Sequence, residues 1–493
     1  MKKYFYKGII ILKISSTTHS SAQGQFVYNP TRRKFIQAAF ALPVAATILP
    51  FLMPFTADAA GGTDDVPPHA LKFTTRDGKD PGHKLVIVYM QGGLSNFDTF
   101  DPKTHNSIKG PFKQIDTASR NIKFTEVLEP LARHANDFLV LNNLRTDFGE
   151  HTQAAAKLLT TSGQVTGSGF LAPTIYKNPF VEFSDLLTNE AAGQVGYVVL
   201  HQNTHDRHSY NRVWDTPWGG VNHNDPVAVY APYDTNTGRF TNPFSNSTNV
   251  SASRYRERSQ LLEAFDNSGH VLVGASVNRH NRAYAQARSL LGGQFNQTFD
   301  LNREPLQIRE RYGDSKVGKQ FLLARRMLES GARVVVVNDG NYDFHWGIKE
   351  DSEIMLPPFS RALSAFIDDI KQRGNEKVYI AIITEFGRDP RVNTGGRETI
   401  DGNSVQQPPG RHHWANAFSM VIISNDHRSI GAGRTIGRTN NSGQIVGQAF
   451  DSSLTGETLL EYCLKLGRYE KRGDVVTGKR FPYIDIINER VVD

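Results

Sequence analysis

Three short apolar runs, each ending in a knot of polar residues, constrain this chain most. Leu85-Val-Ile-Val-Tyr89 leads into Met90-Gln91-Gly92-Gly93-Leu-Ser95-Asn-Phe-Asp98. Val334-Val-Val-Val337 leads into Asn338-Asp339-Gly340-Asn341-Tyr342-Asp343-Phe344-His345. Val378-Tyr-Ile-Ala-Ile-Ile383 leads into Thr384-Glu385-Phe386-Gly387-Arg388, with Gly410-Arg-His412-His413-Trp414 shortly after. Apolar runs this short, rich in β-branched residues, read as buried strands. In an open α/β sheet, ligands bind outside the carboxyl ends of the strands, where these polar knots would lie.

Helical patterns separate the runs. Lys316 to Ser330 sets Phe321, Leu322, Met327 and Leu328 against Lys and Arg, with Gly331 as its stop. Leu363, Phe366, Ile367 and Ile370 share a helical face closed by Gly374. Phe138 to Leu141 reads as a strand ending near Arg145, and a helix begins around Glu150-His151-Thr152. Tyr197–Leu200 and Ala417–Ser424 are further strands, the second leading away from His413. Helix and strand alternating at this pitch predict an α/β fold with a mostly parallel central sheet and helices on both faces. Residues 60–82 read as a flexible lead-in, and 83–493 as one domain. Within it, 201–251 is dense in Asn, His, Pro, Gly and aromatics and reads as an ordered, irregular excursion. Its histidines (His201, His205, His208, His223) read as surface groups rather than a metal cluster.

The amino terminus reads as an address. Thr31-Arg32-Arg33-Lys34-Phe35 precedes an apolar stretch, and Ala57-Asp58-Ala59 offers a small-x-small cleavage site. Residues 1–59 therefore resemble a twin-arginine export signal with an upstream extension, and predict a periplasmic or extracellular protein. Pro43, Pro50 and Pro54 make the stretch a poor stable membrane span. The charge is concentrated here. Residues 1–59 hold seven Lys/Arg and one acid, leaving 49 basic and 48 acidic residues in the remainder. The net +7 is thus no argument for nucleic acid as a partner. Cys463 is the single cysteine, which excludes an intrachain disulfide and a cysteine metal cluster.

Asp343, His345, Glu385 and His413, with His412 as an alternative, are carboxylate and imidazole donors at strand ends, a set that zinc, manganese, magnesium or calcium sites draw upon. Such a metal would polarise a phosphoryl or sulfuryl oxygen. Arg388 would hold an anionic ester bidentately. His151 or Thr152, at the positive end of a helix, would contact the same anion or act as nucleophile. Ser95 and water are the other nucleophile candidates; water or His151 is favoured. Plainer readings stand beside these. Asp343 and His345 could bond each other, Glu385 and Arg388 could be a structural ion pair, and His413 could be a packed histidine. His412 reads as exposed. Donors to one ion must lie within roughly 3–5 Å of one another.

These residues also carry a resemblance. The export signal, Gly92 to Lys103, Phe299-Asp-Leu through Arg309-Glu-Arg-Tyr-Gly313 with Leu323-Ala-Arg-Arg326, Asn341 to His345, and Glu385 to Pro390 with Gly410 to Trp414 resemble the DUF1501 family. That resemblance implies an alkaline-phosphatase-like fold and, through the wider phosphatase and sulfatase superfamily, a metal-assisted ester hydrolase. Two departures bear on it. Gln91-Gly92-Gly93 stands where active members place an aspartate, and Phe386 stands where they place a histidine. One metal or none is then implied rather than two. The leading expectation is a metal-dependent hydrolase of phosphate or sulfate esters. The alternative is a non-catalytic exported protein that binds a glycan or a partner protein through a degenerate site.

Overall fold

The computed structural model describes residues 69–160, 178–190, 196–202, 228–242, 257, 260, 295–374, 376–400, 403–472 and 475–492. Ten strands form the main sheet: β1 (Lys84–Met90), β2 (Phe138–Arg145), β3 (Tyr197–Gln202), β4 (Ala228–Asp234), β5 (Arg239–Phe240), β6 (Val334–Asp339), β7 (Val378–Ile383), β8 (Phe418–Ser424), β9 (Arg434–Ile436) and β10 (Phe450–Asp451). Their order is β9-β2-β8-β7-β1-β6-β3-β4-β5, with β10 also on β2. The run β7-β1-β6-β3-β4 is wholly parallel. β8 runs antiparallel between β7 and β2, so β2 points the same way as the parallel strands. The expected α/β fold with a mostly parallel sheet is therefore present.

Why these runs are apolar throughout is visible in the packing. Every residue of β1, β6 and β7 is buried. Val86, Val88 and Met90 face one core, while Leu85, Ile87 and Tyr89 face a second on the other side. The first core is covered by α3 (Lys316–Glu329) and α4 (Ile348–Arg373). The second meets α1 (His151–Thr160), α2 (Pro179–Glu190) and C-terminal residues such as Leu459 and Ile484. With helices on both faces neither side of a strand can be polar. Each fully buried aliphatic side chain contributes on the order of 1.5–3 kcal/mol.

Strand register aligns one edge of the sheet. Met90 lies beside Asp339, and Ile383 beside Tyr89, so the loops leaving β1, β6 and β7 start level with one another. The end of β2 meets the start of β8, with Leu144 opposite Phe418. Five chain segments therefore reach the same edge.

Two local expectations are corrected. The lead-in ends in structure: His69–Phe73 pairs antiparallel with Leu466–Arg472, which pairs in turn with Val475–Arg480. Backbone pairing far along the chain holds it, which its Gly and Pro content conceals. The 201–251 stretch is not irregular where it is described, because β3 extends through His201 and Gln202 and β4 and β5 prolong the sheet. Residues 1–59, Trp214, Trp218, His205, His208 and His223 lie outside the described residues. Among the described residues no helix is long and apolar enough to cross a membrane.

Candidate metal centre

The segments after β1, β2, β6 and β7, and the one before β8, deliver one cluster. Glu385, two residues beyond β7, is fully buried. It accepts from the Gly92 amide at 2.8 Å and faces His151 Nδ1 at 2.7 Å. His151 is the first residue of α1, and its Nε2 lies 3.3 Å from Asp343 Oδ2. Asp343 comes from the loop after β6. Its Oδ1 is 3.1 Å from His345 Nε2 and 3.0 Å from His413 Nε2, and it also accepts from Arg388. The two Nε2 atoms are 2.9 Å apart. His413 belongs to a two-residue ribbon, His413–Trp414, paired with Gly387–Arg388. Its Nδ1 faces the Gly149 carbonyl at 2.7 Å.

Glycine makes this convergence possible. Gly92 and Gly93 have φ of +111° and +81°, conformations that L side chains rarely adopt. A Cβ on Gly92 would lie 2.6 Å from the Asp343 amide nitrogen, and one on Gly93 would lie 2.5 Å from the Phe386 ring. Phe386 fills the floor of the site, its ring centroid 4.4 Å from that of His413 and 4.9 Å from that of His151.

Charge is concentrated as well. Burial raises the Asp343 carboxyl, but the His151, His345 and His413 rings around it and the charge of Arg388 hold it far below the usual carboxylate range. Burial lowers His151, yet Asp343 and Glu385 outweigh it and push the imidazole up to about 9. Burial, then Glu385, drives the Tyr89 phenol well above its ordinary value.

The structure brings His151, Asp343, His345, Glu385, Arg388 and His413 together, but changes several roles. Arg388 is fully buried, its guanidinium donating to the carbonyls of Gly92, Gly93 and Arg411 and to Asp343. It braces the site from beneath and is not a bidentate anion clamp. Its acid partner is Asp343 rather than Glu385. His151 has both nitrogens engaged and is 5% exposed, so a nucleophilic role does not fit it. In the first turn of α1 the Gln153 amide is already taken by Glu150. Thr152 lies in that turn; its side chain is outside the described residues. Ser95 is buried, donating to Asp98 at 2.5 Å, and Asp98 pairs with the buried Arg411. Glu385 bonds His151 and a backbone amide instead of joining the Asp343 group.

Within the described residues, His151, Asp343 and His413 each offer a ligand atom within 4.8 Å of the others. His345 Nε2 adds a fourth donor at Asp343 Oδ1. One part of the site carries no sequence signal. The Gly149 carbonyl is a backbone group without a residue signature. His412, exposed as expected, nonetheless meets His345, Nδ1 to Nδ1, at 2.9 Å.

Among solved structures, the chain is similar to the C-terminal periplasmic domain of EcEptC from Escherichia coli in complex with Zn. Identity is 8%, over 81% of this chain and 86% of that one, with a TM-score of 0.30. For alkaline phosphatase from the Antarctic bacterium TAB5 the values are 10%, 78%, 99% and 0.33. For the lipoteichoic acid synthase LtaP from Listeria monocytogenes they are 10%, 86%, 80% and 0.31. Superpositions this loose carry no argument about the site. No curated protein matches the sequence at a significant level. The family model described as "Protein of unknown function (DUF1501)" matches residues 83–452, a span that holds every residue of the cluster. The chain belongs to the DUF1501 family.

Proposed function

We propose that the chain is an exported, metal-dependent hydrolase of phosphate or sulfate esters, its metal held by Asp343, His345 and His413 with His151 alongside. One observation carries the reading. His413 donates from Nδ1 to the Gly149 carbonyl, so in a neutral imidazole its Nε2 is a bare lone pair. That lone pair, His345 Nε2 and Asp343 Oδ1 lie 2.9–3.1 Å from one another. Three electron-rich atoms so close repel unless a proton or a cation lies among them. Ligands about 2.1 Å from zinc at tetrahedral angles stand roughly 3.4 Å apart, close to this spacing. A carbonyl that fixes the outer nitrogen of a ligating histidine is also the usual arrangement.

A divalent metal at these ligands supplies Lewis acidity. The remaining steps belong to the chain. The formal charges of Asp343 and Glu385 are more than offset by Arg388 together with a bound divalent cation, and the excess positive charge suits an anionic ester. Arg388 keeps the glycine turn and Asp343 in register. Metal analysis of purified protein, paired with aryl phosphate and aryl sulfate assays in zinc, manganese, magnesium and calcium, tests the reading. One metal per chain is expected, lost in Asp343→Asn together with turnover. No hydrolysis of any ester with any of these metals would sink it.

A second reading is favoured by one observation. His151, Ser95 and Arg388 are all engaged internally, leaving no side-chain nucleophile or anion clamp among them. A metal-bearing binding protein for a glycan or partner would then hold ligand without turnover. Both readings place the protein outside the cytoplasm. Changing Arg32 and Arg33 together to Lys should leave the precursor unprocessed, and normal processing would remove the twin-arginine assignment.

A further inference from the structure

The segment Phe299 to Gly313, part of the family resemblance, contributes nothing to the metal cluster. It lines a cavity of about 750 Å³ instead, together with β5 and its turn, Lys319 and Leu322 of α3, and Arg361 of α4. The cavity shares no residue with the cluster. Cavities of this size are typical of small-molecule sites. Phe240, Phe299, Leu301, Leu306 and Leu322 give it an apolar wall. Leu306 is 58% exposed, so that wall is open to solvent.

The arginines in this region fall into two groups. Arg311, Arg325 and Arg326 are bound to acids: Arg311 lies 3.0 Å from Asp369, Arg325 lies 3.0 Å from Glu329, and Arg326 meets Glu304. The three that line the cavity, Arg239, Arg309 and Arg361, make no ion pair among the described residues. Arg309 donates from Nη1 to Asn302 Oδ1 at 3.3 Å, and its Nε is buried without an acceptor. Arg361 donates to the carbonyls of Glu310 and, at 3.2 Å, Arg311, which leave its charge unneutralised. Lys319 pairs with Asp314 at 3.0 Å, but Asp314 is 97% exposed and water screens the pair. Asp300 is taken by the Asn302 amide at 3.2 Å, and Glu310 is exposed. Four cations against three acids leave the cavity one positive charge in excess.

We propose that this cavity binds a small organic monoanion with an apolar body, an aryl or acyl carboxylate, whose carboxylate meets Arg309 and whose body lies on Phe240, Phe299 and Leu306. A guanidinium pairs with a carboxylate in a planar, two-point geometry, and Arg309 has a donor to spare. The single excess charge suits a carboxylate better than a doubly charged phosphate monoester. The apolar wall gives a bare inorganic anion nothing to gain, whereas an aryl or acyl group has area to bury there. The site stands apart from the metal reading and does not need it.

The test is calorimetric titration of the full mature chain, freed of metal by chelation, with 2-naphthoate and with its neutral counterpart 2-naphthamide. Naphthoate should bind at one site per chain, roughly 10- to 100-fold more tightly than naphthamide, the effect of a hydrogen bond to a charged group. Arg309→Met should remove that preference. Leu306→Asp, at an exposed position that leaves the core alone, should weaken naphthoate by setting a like charge on the wall. Asp343→Asn should bind naphthoate as wild type does. No saturable binding of naphthoate, equal affinity for the two probes, or naphthoate binding unaltered in either Arg309→Met or Leu306→Asp overturns the proposal. So does a loss of binding in Asp343→Asn, which would put the probe at the metal cluster.

Discussion

The two edges of the central sheet are both lined with ionisable groups, and they are wired differently. Where the parallel strands begin, donors and acceptors are matched nearly one to one. Lys84 donates to the Leu328 carbonyl and to Glu376, at 2.6 and 2.5 Å. Arg333 holds Asp80 and donates to the His83 carbonyl at 2.8 Å, and His83 meets the Cys463 carbonyl at 3.2 Å. Where the same strands end, one carboxylate, Asp343, is shared by His151, His345, His413 and Arg388. Two imidazole nitrogens, of His345 and His413, also meet there. Matched pairs close a structure, whereas crowding around one acid leaves a place in the charge balance that a cation or ligand can satisfy. The difference marks one edge as scaffold and the other as site.

The largest effect should come from Arg388→Met. It leaves Asp343 short of a buried cation and the Gly92 and Gly93 carbonyls without their donor. Asp343 is partly exposed and can turn to water, but each buried carbonyl left without its donor costs about 1–3 kcal/mol, readable in urea unfolding. A loss no greater than that of a surface pair would erase the distinction between the edges.

Next comes pH, which should act on the two edges with opposite sign in metal-free protein. His151 is raised to about 9 from 6.5, so its stabilising proton is fully bound below about 6.5 and is lost as pH rises through 9. His83 is lowered to about 4 from 6.5, mainly by burial, so the fold is undisturbed above about 6.5 and weakens as pH falls toward 4. Unfolding midpoints across this range should decline on both sides. His151→Gln should flatten the alkaline limb and His83→Gln the acid limb; crossed effects would break the comparison.

Smallest is Lys84→Met. The Leu328 carbonyl loses a donor, but Glu376 is half exposed and can turn to water. About 1–2 kcal/mol is expected by the same unfolding measurement. A loss rivalling Arg388→Met would show that both edges depend equally on their ions.

Much of the architecture is legible in the residues for a local reason. The runs 85–89, 334–337 and 378–383 are apolar on both faces, and only a strand covered on two sides requires that. Which segments share an edge follows from a parallel sheet, where every strand end points the same way. The lead-in misleads because the partner of His69–Phe73 is nearly 400 residues away at Leu466–Arg472. The 201–251 stretch misleads because its composition gives no sign that β3 pairs with β4.

The residues themselves determined the sheet, its covered faces and the stock of His, Asp, Glu and Arg at its carboxyl edge, since apolar spacing and strand ends are written locally. Tertiary structure alone decided who meets whom. Arg388 went to Asp343 and not to Glu385 three residues away, because the ribbon Gly387–Arg388 turns its side chain under the glycine turn. Glu385 found His151, 234 positions distant. The group that orients His413 is a backbone carbonyl, Gly149, whose acceptor capacity is common to every residue and becomes informative only when folding aims it.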